Sequence, residues 1–261
     1  MTHKTINREK SINLLRQLMQ PTNDFRIVRL LGEAKLGKSH LLTKVFPSIA
    51  RQDCGAHCAI LDLRGGGQAI ADVLYTACNL LSGLIFQGYY DAYQEWVSQS
   101  RLQVSGLKAV FSLVQIRSAG EAGEIEKAAC HLTSRFVGDL RCQIGTPVLL
   151  LFDAVDSAAE TTKRWLMDTL LVQLSTLSHV RVVVAGRSVP EASGSYAAMC
   201  RSYQLLPVDD EEAYVAFCRE IGVVGLGEQS IRDMARVFDY KPGMFVDYVV
   251  PKFAHKGTLC G

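Results

Sequence analysis

The run Gly32-Glu33-Ala34-Lys35-Leu36-Gly37-Lys38-Ser39 sets two glycines five residues apart and follows the second with a lysine and a hydroxyl. This is G-x-x-x-x-G-K-[ST], the Walker A pattern of a phosphate-binding loop. Each position has a physical task. The glycines let backbone N–H groups close around a phosphate. A helix that starts at the lysine points its positive end at the same group. Lys38 is then placed to contact the β- and γ-phosphates of a nucleotide, and the Ser39 hydroxyl to ligate magnesium. The residues expected to line the nucleotide are these eight, Gly32 to Ser39, with His40 behind them.

Three further residues complete a candidate site. Asp153 ends the apolar run Val148-Leu149-Leu150-Leu151-Phe152. An acid at the C-terminal end of a buried strand is the Walker B arrangement, beside the phosphate loop and in the magnesium shell. Asp156 lies three residues on. It is a candidate for orienting or deprotonating an attacking water, and equally for capping a helix that begins near Ala158. Arg187 follows Val180–Ala185, a second buried run. Its planar fork suits bidentate donation to a γ-phosphate. The candidate catalytic set is Lys38, Asp153, Asp156 and Arg187, and the candidate metal ligands are Ser39 and Asp153.

Strands are expected at Phe25–Leu31, Ala56–Leu63, Pro147–Phe152 and Val180–Ala185, with a short last one at Tyr203–Leu206. Helical spacing runs through 6–19, where Asn7 is a candidate cap, and through 41–46, 67–87, 121–142 and 159–177. Residues 88–120 are ambiguous: a helix at 90–100, then an apolar run at 109–116 that suits either strand or helix. Three helices are expected in 209–255. Strands alternating with helices predict an α/β P-loop NTPase fold: a central parallel sheet flanked by helices. The expected division is an ATPase domain at 1–206 and a small helical, lid-like subdomain at 207–261.

Composition narrows the function. With 261 residues the chain can bury a sizeable core. A formal net charge of +2 lacks the strongly basic balance of a dedicated nucleic-acid binder. The eight cysteines are scattered and several fall in apolar patterns, which suits a reduced, cytoplasmic chain. Cys54, His57 and Cys58 cluster without the second ligand pair that a structural zinc site needs. No signal-peptide run or bilayer-length apolar stretch is present, so a soluble protein without a membrane partner is expected.

Taken together, Asn7-Arg8-Glu9-Lys10, the loop through His40-Leu41-Leu42, Leu149-Leu150-Leu151-Phe152-Asp153-Ala154-Val155-Asp156 and Val182-Val183-Val184-Ala185-Gly186-Arg187 resemble the STAND class of signal-transduction ATPases, related to AAA+ proteins and including NACHT and NB-ARC modules. The resemblance covers roughly residues 5–250. It implies ATP and ADP with Mg2+ as cofactors, Arg187 as the sensor arginine, Arg8 near the adenine, and Pro242 of Tyr240-Lys241-Pro242-Gly243 approaching the base. Two features depart from the pattern. Ser157 stands where a second distal acid is usual, which implies slow hydrolysis, and Pro242 sits in a different order from the usual Gly-x-Pro. The resemblance further implies a nucleotide-dependent homo-oligomer that signals to effector or sensor partners. Too few residues flank the module to hold those domains, so separate chains or a longer parent protein are expected to supply them.

Two alternatives stand beside this reading. One is an AAA+ type ATPase acting on DNA, as an initiator or transposition regulator; Ala154 stands where such enzymes usually carry Glu, so DNA is not the favoured partner. The other is a non-hydrolysing, nucleotide-dependent scaffold, motivated by the missing acid.

Overall fold

Five short strands build the centre of the molecule: β1 (Ile27–Leu31), β2 (His57–Asp62), β3 (Val148–Asp153), β4 (Val180–Gly186) and β5 (Cys200–Gln204). In the computed structural model, which describes residues 4–64, 69–99 and 122–254, they form one wholly parallel sheet in the order β2-β3-β4-β1-β5. The order follows burial. β3 and β4 are buried along their whole length and lie inside the sheet, as continuous apolar runs require. β2 and β5 carry exposed positions and form the edges. All four strand pairings are parallel, so all five C-terminal strand ends lie on one side of the molecule.

Strand alternation sends successive side chains to opposite faces. Leu150 and Phe152 join one apolar cluster with Tyr89, Phe136 and Trp165. Leu149 and Leu151 join the other with Leu15, Leu18, Leu41 and Phe46. The first face is covered by α4 (Ile70–Leu80), α5 (Gln87–Gln99), α6 (Ala122–Arg141) and α7 (Glu160–Trp165), the last continuing through a π-helical turn, Leu166–Leu170, into α8 (Leu171–Leu174). The second face is covered by α1 (Glu9–Met19) and by the helical stretch after the glycine loop. That stretch comprises α2 (Lys38–His40), a π-helical turn (Leu41–Val45) and α3 (Phe46–Cys54) without a break.

A third cluster holds Tyr214 and Phe217 of α9 (Glu211–Glu220), Ile231 and Ala235 of α10 (Glu228–Val237), and Phe245 and Val249 of α11 (Pro242–Phe253), the three helices expected after residue 209, together with Val208 just before them. Ile6 of the N-terminal segment belongs to it as well.

Several boundaries differ from expectation. β5 starts at Cys200, before the expected Tyr203, because Arg201 and Ser202 sit on an exposed edge and carry no apolar signal. α4 ends at Leu80, short of residue 87, where the chain turns through Gly83 at φ +96°. Asn7 does not cap α1. The N-cap position is Arg8, without a side-chain cap bond, and the Asn7 amide donates instead to Asp210 Oδ2 at 3.1 Å. The apolar run at 109–116 lies outside the described residues. No described helix is long and apolar enough to cross a membrane.

Candidate functional site at the C-terminal strand ends

The glycine loop joins β1 to α2. Gly37 holds φ +93°, a left-handed conformation open to glycine, and turns the chain into the helix at Lys38. Lys38 Nζ folds back over its own loop and donates to the carbonyls of Gly32 at 2.5 Å and Glu33 at 2.7 Å. Burial pushes this ammonium below the ordinary lysine value; the charges of Asp156 and Asp153 oppose that, and Arg187 adds to it. The same three residues are therefore close enough to act on Lys38. Ser39 is half-buried in the first helical turn, and its carbonyl accepts from the Thr43 hydroxyl at 2.7 Å. His40 is exposed next to it.

β4 separates the loop strand from the strand that carries Asp153. Asp153 is 3 % exposed. Its Oδ1 accepts from the Ala154 N–H at 2.9 Å, whereas its Oδ2 finds no hydrogen-bond partner among the described residues. A buried carboxylate oxygen without a donor costs on the order of 1–3 kcal/mol or more. Such an atom fits a site built for a cation or its bound water, with the Ser39 hydroxyl as the second oxygen donor. Ala154 then adopts φ 57°, a left-handed conformation costly for a residue with a Cβ.

That turn delivers Asp156 to Arg187. Asp156 Oδ1 accepts the Arg187 backbone N–H at 3.0 Å, and Oδ2 accepts Arg187 Nε at 2.7 Å. Burial works against the Asp156 charge, but the side-chain and backbone bonds from Arg187 outweigh it and hold the carboxyl below its usual range. Asp156 starts no α-helix, and its side chain reaches across to the end of β4 instead. The loop after Arg187 is pinned from below: buried Arg29 of β1 donates to the Val189 carbonyl at 2.6 Å and to Ser202 Oγ at 2.9 Å.

Of the remaining loop positions, Ala34 is exposed, and Glu33, Lys35 and Leu36 contact other parts of the chain. Arg8 is buried, and donates to the carbonyls of Leu36 at 2.7 Å and Leu206 at 2.9 Å. It ties the N-terminal segment, the glycine loop and the connection from β5 to α9 into one junction. Pro242 is buried at the first position of α11, where its missing N–H is no loss. The next free helix donor, Gly243 N–H, bonds the Lys35 carbonyl at 2.7 Å. The helix has no side-chain cap, so the glycine loop itself caps it. Two ion pairs flank the contact: Lys35 Nζ to Asp247 Oδ2 at 2.7 Å, and Lys241 Nζ to Glu33 Oε2 at 2.9 Å.

Sequence reasoning did not single out Arg29, Lys241, Gly243 or Asp247 as site residues, nor a second pair at the edge of the sheet. Asp62 ends β2 in register with Asp153, and Arg64 folds back onto it. Those side-chain bonds hold the Asp62 carboxyl below its usual value. An acid closing a second strand at the same edge, with an arginine two residues on, was the available signal.

No protein-family model matches the sequence, and no curated protein sequence matches it. Among solved structures, Cdc6p from Pyrobaculum aerophilum is similar over 95 % of this chain, with a TM-score of 0.56 and 12 % identity. The chain spans 61 % of that structure's length. At that identity the likeness speaks for the fold. The chain shares that α/β fold, with a central parallel five-stranded sheet flanked by helices.

Proposed function

We propose that the chain is a nucleotide-gated regulatory ATPase of the STAND kind. In this reading residues 1–206 are its ATPase domain and 207–261 its helical lid. One observation carries the proposal: the phosphate loop caps the first turn of α11, through Lys35 O and Gly243 N–H at 2.7 Å. A loop that closes around phosphates cannot move without changing how it holds that helix. The nucleotide's phosphate state thereby sets how the C-terminal helices pack.

The chain's own residues supply the steps. Lys38 leaves the Gly32 and Glu33 carbonyls and donates to the β- and γ-phosphates. Ser39 and Asp153 hold the Mg2+ shell; the ion, when bound, neutralises charge between those phosphates. Arg187 turns from Asp156 to the γ-phosphate, and the released Asp156 takes a proton from the attacking water. The water oxygen bonds the γ-phosphorus, the bond to the β–γ bridging oxygen breaks, and ADP and phosphate leave. With Ser157 in place of a second acid, turnover is slow. The ATP form assembles into a homo-oligomer and engages effector partners in the cytoplasm.

The test is light scattering on a sizing column, with Mg-ADP and then with Mg and a non-hydrolysable ATP analogue. Assembly with the analogue alone, lost in Lys38→Ala, supports the reading. A monomer in both, unchanged by Lys38→Ala, overturns it.

A second reading, an AAA+ type ATPase acting on DNA, draws on the fold likeness to Cdc6p across 95 % of the chain. It requires salt-dependent duplex binding, and absence of binding at low salt removes it.

A further inference from the structure

Asp153 is flanked on both sides by arginine–aspartate pairs. On the β4 side Arg187 is held by Asp156. On the β2 side Arg64 is held by Asp62, with its Nη2 at 2.7 Å from Asp62 Oδ2. The same Nη2 stands 3.7 Å from Asp153 Oδ2, the buried oxygen that lacks a hydrogen bond. At that distance the contact is an ion pair and not a hydrogen bond. Asp62 and Asp153 are register partners on adjacent parallel strands, so their carboxylates project to the same side of the sheet. Two acids side by side need positive charge between them, and here a guanidinium provides it. Its side chain is 60 % exposed, so it can leave without disturbing the core.

We propose that Arg64, seated on Asp62, is a built-in counter-ion of Asp153 that keeps divalent metal off this carboxylate until phosphates arrive. The inference rests on the nucleotide-site reading and deepens it by naming a regulator of its metal. A dication approaching Asp153 meets the Arg64 charge within a few ångströms and is repelled. Nucleotide phosphates offer that guanidinium another anionic partner and bring their own charge to the metal. Metal binding is thereby coupled to nucleotide binding.

The experiment titrates Mn2+ into the full chain, read by its electron paramagnetic resonance signal, with and without ADP. Arg64→Ala should raise Mn2+ affinity of the nucleotide-free protein on the order of tenfold. Arg64→Lys, which keeps the charge, should bind as weakly as wild type. Adding Asp153→Asn should remove the gain in Arg64→Ala. An unchanged nucleotide-free affinity in Arg64→Ala overturns the proposal while leaving the nucleotide site intact, provided ADP still promotes Mn2+ binding that needs Asp153. If Mn2+ binding never depends on Asp153, even with ADP, the proposal and the nucleotide-site reading fall together.

Discussion

Gly243 N–H donates to the carbonyl of Lys35 at 2.7 Å, and a Cβ at Gly243 would lie 2.6 Å from that same oxygen. The helix thus approaches the phosphate loop as closely as a backbone without a side chain allows. Gly243→Ala must push α11 off the loop. It is expected to cost about 1–3 kcal/mol in urea unfolding and to speed nucleotide release in stopped-flow chase experiments. Wild-type release kinetics in a folded Gly243→Ala protein would show that the contact is not coupled to the site.

The Lys35–Asp247 pair is exposed on both sides, at 58 % and 60 %. It is therefore expected to contribute no more than about 1 kcal/mol to stability. Its value lies in orientation. Lys35→Ala and Asp247→Ala should each loosen α11, with a coupling energy in a double-mutant cycle that fades as salt rises. Additive effects at low salt would mean that the pair does no work on the helix.

Asp156 and Arg187 should act as a unit. Arg187→Ala is expected to weaken binding of an ATP analogue several-fold more than binding of ADP, measured by calorimetry, because only one ligand carries the γ-phosphate. Equal losses for both would place Arg187 elsewhere.

The same pair carries a pH signature. The Asp156 carboxyl is held below its usual value in the folded chain. Its stabilisation is fully present above the unfolded aspartate value of about 4 and is lost as pH falls through the lower folded value. The melting-temperature gap between wild type and Asp156→Asn should stay level from pH 8 to about pH 5 and close below about pH 4. A gap that widens on acidification would contradict the pairing.

Much of the fold was legible because its signals are local. The continuous runs ending at Phe152 and Ala185 specify strands buried on both faces, and Gly32–Ser39 specifies a strand-loop-helix turn. The positions of Lys38, Asp153, Asp156 and Arg187 at one sheet edge follow from those runs plus right-handed crossovers. What stayed hidden is long-range or polar. Cys200-Arg201-Ser202 reads as a loop and pairs as an edge strand. Asn7 reads as a cap yet bonds Asp210, 203 residues away. Arg8, expected near a base, spans Leu36 and Leu206 through two carbonyls that no pattern announces. Arg64 sits over Asp153 only because β2 and β3 are neighbours in the sheet, an adjacency fixed by strand order and not by sequence distance.

The central claim is that phosphates in the Gly32–Ser39 loop control the seating of α11. Hydrogen exchange at the Gly243 amide tests it most directly, measured in the nucleotide-free protein, with Mg-ADP and with Mg and a non-hydrolysable ATP analogue. The account predicts that protection of this amide differs between the ADP and analogue states, and that Lys38→Ala abolishes the difference. Identical protection in all three states of a protein that binds both nucleotides would contradict it.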